Sequence, residues 1–126
     1  MRLSPNVGAR WVLLVDDHED GRDLLSEYLS FNGFDVEACS SGEEALERVA
    51  VRGAPSVVVT DLSLGMMSGS ELARHLRSTE NTASVPIFAV TGHSSFEDPD
   101  HLFNAIMVKP VALIDLAAAV KGATER

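Results

Sequence analysis

Short apolar runs punctuate the chain at Trp11–Val15, 34–38, 57–60, 87–90 and Ala105–Val108. Four of them (WVLLV, VVVT, IFAV and AIMV) are continuous and rich in branched side chains, the composition of strands buried on both faces of a parallel sheet. The run at 34–38, FDVEA, alternates apolar and polar positions instead, which predicts an edge strand with one side less covered.

The segments between these runs carry helical spacing. Leu24, Leu25, Tyr28, Leu29 and Phe31 recur at that period after the polar stretch 20–23. Ser41 followed by Glu44, and Ser68 followed by Glu71, each have the spacing of a capping box, in which the side chain of each residue bonds the backbone N–H of the other. The two boxes open helices that turn Ala45, Leu46 and Val49, and Leu72, Ala73 and Leu76, inward. A last helix with Leu113, Leu116, Ala117 and Val120 follows Pro110. The connection between the fourth and fifth runs is weaker: residues 94–104 contain Pro99 and offer only Leu102 and Phe103 for burial, so a fourth helix there is short or degenerate. Strand alternating with helix predicts an α/β fold around a parallel sheet.

Length and charge narrow the function. The 126 residues, 45% of them hydrophobic, suit one globular domain, expected over 11–122 behind a flexible leader at 1–10, with no length left for an output domain. The net charge of −9 repels phosphate backbones and anionic lipids, so direct nucleic-acid or membrane binding is not expected. A single cysteine, Cys39, makes no internal disulfide, and the apolar run at Trp11–Val15 is too short to span a bilayer. Both features point to the cytoplasm.

In an open parallel sheet, ligands bind beyond the carboxyl ends of the strands. The first run is followed by Asp16 and Asp17, the third by Asp61, the fourth by Thr91 and the fifth by Lys109-Pro110. Taken singly, each has an ordinary explanation as a turn or helix cap. Together they bring carboxylates, a hydroxyl and an ammonium to one rim. Hard carboxylate oxygens suit Mg²⁺, which shares its coordination shell with phosphate. Acids this crowded repel unless a cation joins them. A carboxylate beside such an ion can attack phosphorus, while Lys109 and Thr91 balance charge on the transferring group.

The segments VDD (15–17), TDLSLGMMSG (60–69), AVTGH (89–93) and VKP (108–110) resemble bacterial response-regulator receiver domains, and the resemblance covers 11–119. It implies a three-layer, flavodoxin-like fold with strand order 2-1-3-4-5, helices on both faces and a cis bond before Pro110. It implies that Asp61 is the phospho-acceptor, with Thr91 the switch hydroxyl and Lys109 the phosphate-binding lysine. Asp16, Asp17 and Asp61 would hold Mg²⁺ together with the Ser63 carbonyl. The implied partner is a histidine kinase or histidine phosphotransfer protein. Many relatives dimerise through their fourth helix, fifth strand and last helix. Here Gly65 stands where proline is common, Ser68 where aspartate is frequent, and Ile106 where an aromatic switch residue is usual. A monomer or weak dimer is therefore expected.

Other readings fit less well. A phosphatase with an aspartate nucleophile needs a second acid at the position of Ser63, and a flavodoxin needs a phosphate-cradling loop where Asp16 and Asp17 stand. A degenerate receiver acting only as an interaction module is opposed by the intact acidic set. His18 reads as a loop residue beside the acidic pair, His93 as a solvated loop residue near the site, His75 as a helix-surface residue and Cys39 as a packed strand-end residue.

Overall fold

The computed structural model describes residues 11–125; the leader expected at 1–10 lies outside them. Five strands, β1 (Trp11–Val15), β2 (Asp35–Cys39), β3 (Val57–Asp61), β4 (Ile87–Thr91) and β5 (Ala105–Val108), form one parallel sheet in the order β2-β1-β3-β4-β5. Four helices cover it: α1 (Glu19–Phe31), α2 (Gly42–Arg52), α3 (Gly69–Arg77) and α4 (Leu113–Thr124). This is the flavodoxin-like order that the sequence resemblance implied.

The pleat divides the core in two. Leu13, Val15, Val58 and Ile87 point to one face, where Ala45 of α2 and Leu72, Ala73 and Leu76 of α3 close over them. Val12, Leu14, Val59, Phe88 and Val90 point to the other, against Leu29 of α1 and Leu116 and Val120 of α4. The strand-edge reading of the second run holds, because β2 lies at one edge and only Cys39 of its residues is fully buried.

The Ser68–Glu71 capping box forms in full. The one expected at Ser41 forms by half: Ser41 Oγ accepts from the Glu44 N–H at 3.0 Å, but the Glu44 carboxylate accepts from Ser40 N and Oγ instead of returning to Ser41. In α1, Leu24 and Phe31 are exposed, contrary to the inward placement that their spacing suggested. The buried stripe of that helix is narrower, centred on Leu29, because α1 packs against the sheet and α4 along one line.

The fifth strand departs most from expectation. Its continuous apolar run predicted burial on both faces, yet Ile106 is 38% exposed and Val108 41% exposed. Residues 92–104, all described, form no helix, so no helix covers that side of β5, while Ala105 and Met107 pack on the opposite face. A four-residue run carries no information about whether a covering helix exists.

What replaces the missing helix is a side-chain clasp. Asp98 accepts from the Leu102 and Phe103 N–H groups at 2.9 Å each, and its carbonyl accepts from the N–H of His101, which lies at φ 53°. Asp98 thus caps a turn, and no helix follows. From α3, the Arg77 guanidinium donates to the Leu102, Ala83 and Val85 carbonyls and to Asn104 Oδ1. Asn104 Oδ1 also accepts from Ile87 N at 2.8 Å, tying the connection to the start of β4. Burial holds the Arg77 guanidinium below its ordinary pKa, against an opposing pull from Asp98.

Candidate functional site

Backbone pairing continues one residue beyond several strands and fixes the rim. Asp16 N donates to Cys39 O at 3.0 Å, Leu62 N to Val90 O at 3.0 Å, and Lys109 N to Thr91 O at 2.8 Å. Asp16, Asp61, Thr91 and Lys109 therefore stand where sheet hydrogen bonds position the main chain. Positions on a sheet that twists as one body hold more rigidly than positions on a free loop.

Asp61 is 5% exposed and its carboxylate is held from two sides. Lys109 Nζ donates to Oδ2 at 2.7 Å, and Ser63 N donates to Oδ1 at 3.3 Å. The hydrogen bond to Asp61 raises the Lys109 pKa; partial burial opposes the rise, and the charges of Asp61, Asp16 and Asp17 add to it. Lys109 is thus cationic at physiological pH, and the bond between it and Pro110 is cis. Thr91 is buried, and its Oγ1 accepts from His93 N at 3.0 Å, leaving the hydroxyl proton free to donate elsewhere.

The acidic pair sits beside this junction. The buried Asp16 accepts at Oδ1 from His18 N at 2.9 Å, which closes the turn into α1, and the Asp16 carbonyl accepts from Arg22 Nη1 at 3.0 Å. Asp17 is more open to solvent. One donor atom from each of Asp16, Asp17, His18 and Asp61 lies within 4.8 Å of the others, a separation compatible with a single shared cation.

Of the five strand-end residues expected from the sequence, the structure brings the side chains of Asp16, Asp17, Asp61 and Lys109 together, while Thr91 ends the neighbouring strand β4, and Ser63 sits in the following loop with its N–H on Asp61. One residue escaped sequence reasoning. Gly69, the first residue of α3, passes so close to the end of β3 that an added Cβ would collide with the Asp61 carbonyl oxygen and crowd Leu62 Cα. Its N–H donates to Leu62 O at 2.9 Å, closing the acceptor loop on itself. A glycine directly after a helix cap was the available signal. His18 lies beside the acidic pair, as the sequence predicts, with Nδ1 3.2 Å from Asp17 Oδ1 and 3.7 Å from Asp16 Oδ1. Cys39 is packed as expected, its thiol pushed up to about 12, chiefly by burial, and so unreactive.

The chain is 36% identical over 119 residues to the response regulator MprA of Mycobacterium leprae, covering 91% of this chain and 51% of that protein. It therefore spans about half the length of the curated relatives it matches. Among solved structures, it superposes on the Vibrio cholerae chemotaxis protein CheY4 with a TM-score of 0.84 at 25% identity, covering 91% of this chain and 98% of that one. The receiver domain of the Pseudomonas aeruginosa sensor histidine kinase PA1611, solved with a magnesium ion in its active-site cleft, shares the fold with a TM-score of 0.81 at 24% identity, covering 94% and 99%. No described helix is long and apolar enough to cross a membrane. With residues 12–121 matching the response regulator receiver domain, on a sheet of the same order, the chain belongs to that family.

Proposed function

We propose that this receiver accepts a phosphoryl group on Asp61 in a Mg²⁺-dependent step and passes the signal on as a changed affinity for a protein partner. The observation that carries the reading is the junction at the rim, where a buried carboxylate meets an ammonium at 2.7 Å beside the acidic pair. Asp16, Asp17 and Asp61 form a donor set that fits a hard divalent cation, and the Ser63 carbonyl would complete it. When bound, the ion supplies positive charge to phosphoryl oxygens and to the crowded acids. The magnesium in the cleft of the Pseudomonas receiver supports the same assignment.

The chain's own groups divide the remaining work. An Asp61 carboxylate oxygen forms the new bond to phosphorus as the bond to the donor's leaving group breaks. Lys109 holds its charge where the phosphoryl oxygens arrive, and the free Thr91 proton donates to one of them. The donor is phosphohistidine of a histidine kinase or histidine phosphotransfer protein. The reaction modifies the receiver itself and is not turnover of a metabolite. A protein partner in the cytoplasm suits the net charge of −9, which disfavours nucleic acid and anionic lipid.

Intact mass after incubation with acetyl phosphate tests this reading. Wild type gains one phosphoryl group with Mg²⁺ and none after chelation, while the nearly isosteric Asp61→Asn gains none. Equal labelling of the two proteins would overturn it.

A further inference from the structure

The metal pocket contains a donor that a magnesium site has no need of. His18 occupies the cap position of α1, but its ring makes no capping hydrogen bond. The ring is 77% exposed, so apolar packing does not hold it in place. It is nevertheless turned toward the acids, with Nδ1 at 3.2 Å from Asp17 Oδ1. The bond from His18 N to Asp16 Oδ1 at 2.9 Å closes the turn that aims it there.

We propose that His18 supplies an imidazole nitrogen to the cation held by Asp16, Asp17 and Asp61, so that this receiver prefers first-row transition ions to Mg²⁺. The inference rests on the metal-dependent reading of the site given above. Donors about 2.1 Å from one ion lie about 3.0 Å apart as neighbours and about 4.2 Å apart across it. The His18–Asp17 separation of 3.2 Å matches the first, and the limit of 4.8 Å across the four donors exceeds the second by a few tenths of an ångström, within reach of side-chain rotation.

The chemistry follows from the donor set. Mg²⁺ is hard, loses its waters reluctantly and favours oxygen alone. Carboxylates suit magnesium and manganese alike, whereas imidazole is a softer donor that suits zinc, iron, nickel and copper, so the added nitrogen shifts the balance away from Mg²⁺. The four residues lie between the end of β1 and the end of β3, and the ring faces solvent, which gives an ion a direct route in. The run Asp16-Asp17-His18 places all but one of these donors consecutively, yet spacing alone does not reveal that the His18 ring turns back.

Mn²⁺ is the probe, because its electron spin reports directly bound nitrogen. The full chain loaded with Mn²⁺ is expected to show a nitrogen coupling in pulsed EPR that disappears in His18→Ala. The ratio of Mn²⁺ to Mg²⁺ affinity should fall about tenfold or more in that variant, since loss of even an outer-shell partner costs a metal site about 10–100-fold. Mn²⁺ bound without nitrogen coupling, with an unchanged ratio, would mean that His18 is only a neighbour of the acids, and would overturn the inference while leaving the acidic pocket intact. A coupling that survives His18→Ala assigns the nitrogen elsewhere and also overturns it. Binding of either ion that is indifferent to Asp17→Asn and Asp61→Asn removes the metal pocket, and the inference with it.

Discussion

The rim that carries the acceptor and the connection between β4 and β5 are neighbours, yet they are built in opposite ways. At the rim, every chemical group stands on or next to a strand whose main chain is paired on the sheet, and the pairing runs on through Asp16, Leu62 and Lys109. In residues 92–104 almost no main-chain pairing exists, and the order comes from the side chains of Asp98, Arg77 and Asn104. Sheet pairing is cooperative and tolerates loss of any one side chain. A clasp made by three residues concentrates its stability in them. The difference implies that the acceptor chemistry and the surface beside it can fail independently.

Removing the guanidinium is the sharpest way to break that comparison. Arg77→Ala leaves the carbonyls of Ala83, Val85 and Leu102 without the guanidinium donor, and removes one of the two donors to Asn104 Oδ1. Charged hydrogen bonds are worth about 1.5–3 kcal/mol each but do not add, so a loss of about 2–4 kcal/mol in urea unfolding is expected. In conditions where the variant stays folded, Asp61 should still be labelled by acetyl phosphate. Loss of labelling in a folded Arg77→Ala protein would show the two regions to be one unit.

A smaller effect tests the acceptor side. Gly69→Ala places a methyl group against the Asp61 carbonyl, which is main chain and cannot turn aside. Overpacking of this kind costs about 1–3 kcal/mol, and here the displaced atoms belong to the acceptor itself. Labelling should slow along with the loss of stability, the reverse of the pattern expected for Arg77→Ala. A protein that loses stability but labels at the normal rate would show that the β3–α3 turn gives way without moving the carboxylate.

The legibility of the two regions in the sequence differs for the same physical reason. Strand-end positions follow from where apolar runs stop, so Asp16, Asp17, Asp61, Thr91 and Lys109 were readable once a parallel sheet was inferred. The alternation at 34–38 likewise announced an edge. The clasp was not readable, because Arg77 bonds main-chain carbonyls, and any residue supplies a carbonyl. Nor could the run at β5 report its own exposure, which depends on a helix that never forms some residues earlier. Gly69 and His18 lie between these cases: the positions were visible, but the close approach that gives each its meaning exists only in the folded chain.

Metal linkage should give a smaller shift. Ion bound only by the folded state adds about 1.4 kcal/mol at ten times its dissociation constant, enough to raise the melting temperature measurably. Asp17→Ala should abolish that rise, and it removes one of the crowded negative charges, which favours the metal-free protein. A wild-type melting curve that millimolar Mg²⁺ and Mn²⁺ both leave unmoved would contradict the metal site. A rise that persists in Asp17→Ala would place the ion elsewhere.

The smallest expected effect is no effect at all. Dimerisation through a fourth helix, fifth strand and last helix, common among relatives, requires a helix that residues 92–104 do not form. The strand position where an aromatic side chain would swing inward holds Ile106, already 38% exposed with no helix beside it to respond. The net charge of −9 further opposes bringing two copies together. Phosphorylation should instead act on residues 91–98, the segment between the Thr91 hydroxyl and the Asp98 anchor, which is held within itself by Phe96 N to His93 O at 3.2 Å and His93 N to Thr91 Oγ1 at 3.0 Å. The outcome is a shift in affinity for a different protein. Sedimentation with and without beryllofluoride, a phosphoryl mimic, should give a monomer in both cases, and hydrogen exchange should change mainly in that segment. A dimer forming on addition of the mimic, with protection spreading over β5 and α4, would mean that the clasp transmits what a helix transmits elsewhere, and the contrast between the two regions would dissolve.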